Sequence, residues 1–127
     1  MTVIERWHEY VERGDPALLD ALIAEECVFQ SPAVHSPQVG KAITLKYLRA
    51  ALAVLNNPTF RYLDQWVLDG KAVLEFEAEV DGLIVNGVDM VWWNESGQIT
   101  RFKVMVRPLK ALNALVARMA AELQKAG

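Results

Sequence analysis

The 127-residue sequence has one cysteine, two histidines and no long apolar run, and each scarcity removes a class of protein. Cys27 alone can form neither an internal disulfide nor a multi-cysteine metal site. Opening the apolar "CVF" run, it reads as a small buried hydrophobe. His8 and His35 form no paired motif at helical spacing, so a histidine-based metal centre is not expected. The 13 basic residues are scattered singly in a chain of net charge -3, which leaves no basic stripe for nucleic acid. A Gly-rich phosphate loop and a Gly-x-Ser-x-Gly elbow are both missing, and no cofactor is expected. No apolar stretch approaches the roughly 20 residues of a membrane helix, and "MTVIERWHEYVERGD" is charged from Glu5 onward, unlike a signal peptide. The expectation is a cytoplasmic protein that engages neither nucleic acid nor membrane.

What is present is apolar and patterned. A hydrophobic content of 53% beside 23% charged residues suits one domain over residues 1–127. Val3, Trp7, Tyr10 and Val11 recur at helical spacing and Gly14 ends the pattern, which predicts a helix over residues 2–13. Asp15 and Pro16 are an N-cap and a first-turn proline for a second, short helix that turns Leu18, Leu19, Leu22 and Ile23 inward. "CVFQ" is a short strand and "SPAVHSPQVG" a loop. Lys41 to about Leu55 is helical again, with apolar residues on more than one side, until "NNP" stops it. Four strands follow, "FRYLDQWVL", "AVLEFEAEV", "LIVNGVDMVWW" and "QITRFKVMV", separated by turns at Asp69-Gly70, Asp81-Gly82 and "NESG". Beyond Pro108, residues 109–124 make a last helix with Leu109, Leu112, Val116, Met119 and Leu123 on one stripe. The order predicts an α+β domain, with helices on one face of a curved antiparallel sheet.

Asp89 breaks the apolar pattern of the third of these strands. A buried charge costs several kcal/mol, of that order, unless it is paired, hydrogen-bonded or protonated. Strand alternation sets Leu74, Phe76, Ala78 and Val80 on the face toward the helices, against Val73, Glu75, Glu77 and Glu79. A two-residue turn at Asp81-Gly82 puts Leu74 opposite Asp89 and Phe76 opposite Gly87, so Asp89 points to the apolar side. Treating "NESG" as a four-residue loop puts Phe102 opposite Asp89, with Val104 and Val106 on the same side. The outer face alternates Val73, Val88, Met90, Trp92 and Met105 with charged residues. That much apolar area predicts coverage by the last helix or by a second copy in a homodimer.

The stretches "YVERGDPALLDALIAEECVFQSP", "GKAITLKYLRAAL" and "NGVDMVWWNESGQITRFKVMV" resemble the SnoaL-like branch of the nuclear transport factor 2-like superfamily. The resemblance spans nearly the whole chain. It implies a conical, cystatin-like α+β fold around an apolar pocket, in a dimer, and a range of activities that includes polyketide cyclases and isomerases. In steroid isomerases of the superfamily, a protonated aspartic acid and a tyrosine form the oxyanion hole and a second aspartate is the base. The resemblance places Asp89 at that acid, Trp7 at the tyrosine and Ser31 at the base. SnoaL-type cyclases carry an acid/base aspartate at a similar strand position.

Asp89 is accordingly the candidate catalytic group, a carboxyl whose apolar surroundings raise its pKa. Candidate substrate contacts are Trp7, Phe76, Phe102 and Val104 on the walls, Ser31 with its hydroxyl, His35 in the loop that the resemblance brings near the pocket mouth, and Tyr47 on the third helix. The expected ligand is a small apolar carbonyl compound, handled without metal or cofactor by cyclase-, isomerase- or hydrolase-like chemistry. A non-catalytic ligand-binding or dimerisation domain is the alternative.

Overall fold

The computed structural model describes residues 1–126. Two helices, α1 (Val3–Arg13) and α2 (Pro16–Leu22), lead into strand β1 (Ile23–Gln30) and a two-residue strand β2 (Gln38–Val39). Helix α3 (Lys41–Leu55) follows, then β3 (Arg61–Leu68), β4 (Lys71–Val80), β5 (Leu83–Trp93), β6 (Ile99–Arg107) and helix α4 (Leu109–Ala126). The strands form one curved, six-stranded sheet in the order β2-β1-β6-β5-β4-β3. Helix α1 begins on a capping box in which Thr2 and Glu5 satisfy each other's backbone N–H groups, and it ends at Gly14 in the left-handed region. Asp15 caps α2 through the Ala17 N–H, with Pro16 in the first turn.

The β3–β6 meander forms as the turn signals predict, and Leu74 pairs with Asp89 and Phe76 with Gly87. Several strand features differ from expectation, among them β2, whose Gln38 and Val39 lie in the stretch expected to be a loop and pair with β1. The second helix stops at Leu22, so Ile23 opens β1, and β1 runs parallel to β6 beside the meander. Ile23 is still fully buried, because a sheet edge against β6 hides it as well as a helix face would. The β5–β6 register is also offset from the four-residue-loop expectation. An irregularity at Trp92/Trp93 and a turn closed by Asn94 and Gln98 bring Val104, not Phe102, opposite Asp89, while Phe102 pairs with Val91. The offset is even, so Phe102 and Val104 keep the inner face.

Helices α1 and α3 and the inner face of the sheet enclose one cluster around Trp7, Tyr10, Phe29, Leu48, Leu74 and Phe102. A second cluster joins Ala50 and Leu55 to Phe76, Val85, Ala111, Leu115 and Met119. Helix α4 therefore lies on the inner side against α3, and among the described residues no helix covers the outer face. Its buried stripe is Ala111, Leu115 and Met119, and Leu109 is exposed. Of the expected stripe Leu109, Leu112, Val116, Met119 and Leu123, Met119 and Leu123 join this packing, while Ala111 and Leu115 take the inner positions nearer the start of the helix. No helix among the described residues is long and apolar enough to cross a membrane.

Candidate functional site

Asp89 lies on β5 with its side chain under α1 and α3, only 7% exposed. Its carboxyl borders a cavity of about 50 Å³ between the sheet and those helices. Apart from Asp89, Tyr62 and Trp7, the walls carry no polar side chain: they are Val11, Leu48, Ala51, Leu52, Leu55, Phe60, Phe76, Phe102 and Val104. Burial pushes the Asp89 carboxyl up to about 7, against a hydrogen bond from Tyr62 that pulls it down. The ionised form thus costs on the order of 4 kcal/mol more than in water. Burial of Trp7, Leu74, Phe76 and Phe102 around it, at about 1.5–3 kcal/mol each, exceeds that cost.

Three side chains on three elements make the polar end of the cavity. The Trp7 indole Nε1–H donates to the Tyr62 hydroxyl at 2.8 Å. That hydroxyl donates in turn to Asp89 Oδ2 at 2.9 Å. The Trp7 ring leans on Phe102 at 4.9 Å between centroids, which fixes the direction of its N–H. Burial, and then the charge of Asp89, hold the Tyr62 phenol well above the usual range, so it keeps its proton.

Tyr62 is the functional candidate that strand alternation does not reveal. Counting back from the Asp69-Gly70 turn, regular pairing would put Leu63 opposite Phe76 and turn Tyr62 outward. The structure instead pairs Asp64 with Glu75 and Tyr62 with Phe76, so Leu63 is the extra residue of a β-bulge. Leu63 is left 43% exposed and Tyr62 turns in. Hydropathy gives no hint of this exchange, since it favours burying the leucine. Gly87, opposite Phe76, has a different signal: a Cβ there would come within 2.5 Å of the Phe76 ring and 2.7 Å of the Met105 carbonyl oxygen. The missing side chain lets Phe76 lie flat beside Asp89's strand and close that wall.

Of the sequence candidates, Asp89, Trp7, Phe76, Phe102 and Val104 meet at this cavity. Ser31, His35 and Tyr47 do not. The Ser31 hydroxyl accepts from the Ala33 N–H and stabilises its own turn. His35 is exposed, over a surface hollow shared with Lys103 and Met105. Tyr47 stacks on Phe29 at 5.3 Å and faces a separate hollow against α4 that Ser31 also borders. The prolines that follow Ser31 and precede Gln38 hold this loop along the outside of the fold. Cys27 is fully buried, and that burial pushes its thiol up to about 11.

The SnoaL-like domain model matches residues 4–102. The chain belongs to the SnoaL-like family. It is similar to a steroid delta-isomerase from Pseudomonas aeruginosa, with 32% identity and a TM-score of 0.90 over 98% of this chain and 90% of that one. It is also similar to an uncharacterised protein with a cystatin-like fold from Silicibacter pomeroyi, at 34% identity and a TM-score of 0.85, covering 94% of this chain and 83% of the other. The epoxide hydrolase/cyclase-like enzyme SalBIII shares the fold alone, at 16% identity and a TM-score of 0.66 over 83% and 88% of the two chains. No curated protein sequence matches significantly.

Proposed function

We propose that this protein is a cytoplasmic, cofactor-independent enzyme that moves a proton on a small, apolar carbonyl compound, with Asp89 as its acid and base. The observation that carries this reading is the Asp89 carboxyl, opening into an apolar cavity and pushed up to about 7. Near neutral pH such a group exists in both forms, which suits it to take a proton and to return it. No second carboxylate and no histidine lines the cavity among the described residues. Ionised Asp89 would therefore remove a proton from the carbon next to the carbonyl, and the protonated form would deliver it to another carbon of the same molecule. Nothing is oxidised or reduced, and isomerisation is the simplest outcome. The likeness to a steroid delta-isomerase supports this class.

The assay is conversion of 3-cyclohexenone to its conjugated isomer, followed by ultraviolet absorbance. Turnover by the wild type that disappears in Asp89→Asn, with an unchanged fold, is the expected result. Retained turnover in that variant overturns the role of Asp89. A second reading, a non-catalytic binding domain, is favoured by the absence of a second acid-base carboxylate or histidine among the described cavity residues. The cavity of about 50 Å³ is well below the roughly 300–1,000 Å³ of most ligand sites, so under either reading its walls must move apart to admit a ligand. Binding of cyclohexanone without any turnover of the enone would favour it.

The same reading pairs two copies through the outer face of the sheet. Val73, Val88, Met90 and Trp92 are half-buried there without a covering helix, and Trp66 and Met105 are 53% and 48% exposed. An apolar sheet face of this kind suits a self-complementary contact.

A further inference from the structure

We propose that Trp7, acting through Tyr62, places the acidic proton of Asp89 on the oxygen that faces the cavity, so that the protonated site offers a donor to a neutral ligand with one acceptor oxygen. This rests on the acid-base reading of the same cavity and adds a direction to it.

The direction follows from what each group is able to donate. An indole N–H donates only. Trp7 Nε1 sits 2.8 Å from the Tyr62 hydroxyl, so the Tyr62 oxygen must accept there. Tyr62 has one proton of its own and, among the described residues, one other polar neighbour within hydrogen-bonding distance, Asp89 Oδ2 at 2.9 Å. Turning that proton elsewhere would leave a buried O–H unpaired, at about 1–3 kcal/mol. Oδ2 therefore accepts whether Asp89 is charged or neutral.

The proton of neutral Asp89 is left with Oδ1. This oxygen has no hydrogen-bond partner among the described residues, yet no side-chain oxygen is sealed from solvent without one. Oδ1 thus reaches open space, and the open space that Asp89 borders is the cavity. The charged and titratable surroundings are sparse. Among the described residues no lysine or arginine lines the cavity, and Tyr62 is the titratable partner of Asp89. His8 packs edge-on against the Tyr62 ring with its Nε2 on Gln65 Oε1. Trp7 is then a positioning residue: it touches no ligand atom through its N–H but decides which Asp89 oxygen is the donor. Below the titration of Asp89 the site selects a carbonyl or ether oxygen on an apolar body. Above it, Oδ1 becomes an acceptor and the preference reverses.

Infrared spectroscopy tests this without a ligand. The acid carbonyl band of Asp89, identified by its loss in Asp89→Asn, is read at pH about 5, below the carboxyl's value of about 7. With the proton on Oδ1, the carbonyl is at Oδ2 and bonded to Tyr62. Tyr62→Phe then moves the band to higher frequency, and Trp7→Phe, which frees the Tyr62 hydroxyl to turn, adds a second band above the first. A wild-type band already at the frequency of an unbonded carbonyl, left in place by Tyr62→Phe, overturns the inference while leaving Asp89 as the acid. The absence of any Asp89 acid band at that pH overturns both. Circular dichroism confirms the fold of each variant. Tyr62→Phe, which preserves the ring, decides alone if Trp7→Phe does not fold.

Discussion

The Tyr62 hydroxyl donates to Asp89 Oδ2 across 2.9 Å, from β3 over the intervening β4, and it is the one side-chain hydrogen bond that the carboxyl receives among the described residues. It favours the charged form and partly opposes the desolvation that favours the neutral one. Tyr62→Phe should therefore raise the Asp89 pKa. A hydrogen bond to a charged group contributes about 1.5–3 kcal/mol, which corresponds to a rise of roughly one to two pH units. Carboxyl NMR of selectively labelled aspartate reads this directly, and an unchanged or lower value would contradict it.

The same carboxyl should make stability depend on pH. Folding raises its pKa from 3.8 to about 7, so the folded state binds the proton more tightly than the unfolded chain does. Its contribution is complete below about 4 and is lost as pH rises through about 7. The loss over that window is on the order of 4 kcal/mol. Urea unfolding of the wild type should show it, and Asp89→Asn should flatten the curve. A wild type that gains stability over this window relative to Asp89→Asn would refute the sign.

Gly87→Ala should strike the cavity wall without touching Asp89. The new methyl would lie 2.5 Å from the Phe76 ring and 2.7 Å from a backbone oxygen, so ring and strand must both move. Overpacking of this kind costs about 1–3 kcal/mol. Thermal denaturation measures it. The displaced Phe76 should also weaken cyclohexanone binding, as read by titration calorimetry.

The proposed outer-face contact should be open to disruption from two strands. Trp66→Glu and Met105→Glu each put a charge into the exposed apolar area and should convert a dimer to a monomer in sedimentation equilibrium. The fold should persist, since neither side chain belongs to the buried clusters. A wild type that sediments as a monomer at all concentrations rules the contact out.

The turn residues made much of this architecture legible. Asp81-Gly82 fixed the β4–β5 register, and through it the inward direction of Asp89, because a two-residue hairpin leaves no freedom in pairing. The family resemblance carried the cystatin-like fold, which the matching SnoaL-like domain model supports. Tyr62 was illegible because a β-bulge has no hydrophobic signature: it changes the phase of a strand while leaving its composition untouched. The β5–β6 offset escaped for a related reason, since the pairing beyond Trp93 depends on how Asn94 and Gln98 close the turn. The parallel neighbour of β6 was hidden because β1 makes its contacts across some seventy residues of chain, as Phe29 with Phe102 shows.

The bulge that turns Tyr62 inward also bears on solubility. β3 is an outermost strand of the sheet, and it ends in the exposed run Trp66, Val67 and Leu68. A long, regular, apolar edge is a template onto which another chain can add a strand. The extra residue at Leu63 interrupts the row of free backbone groups and twists it out of line. Deleting Leu63 would keep Tyr62 opposite Phe76 but regularise that edge, trading a guarded rim for one prone to aggregation.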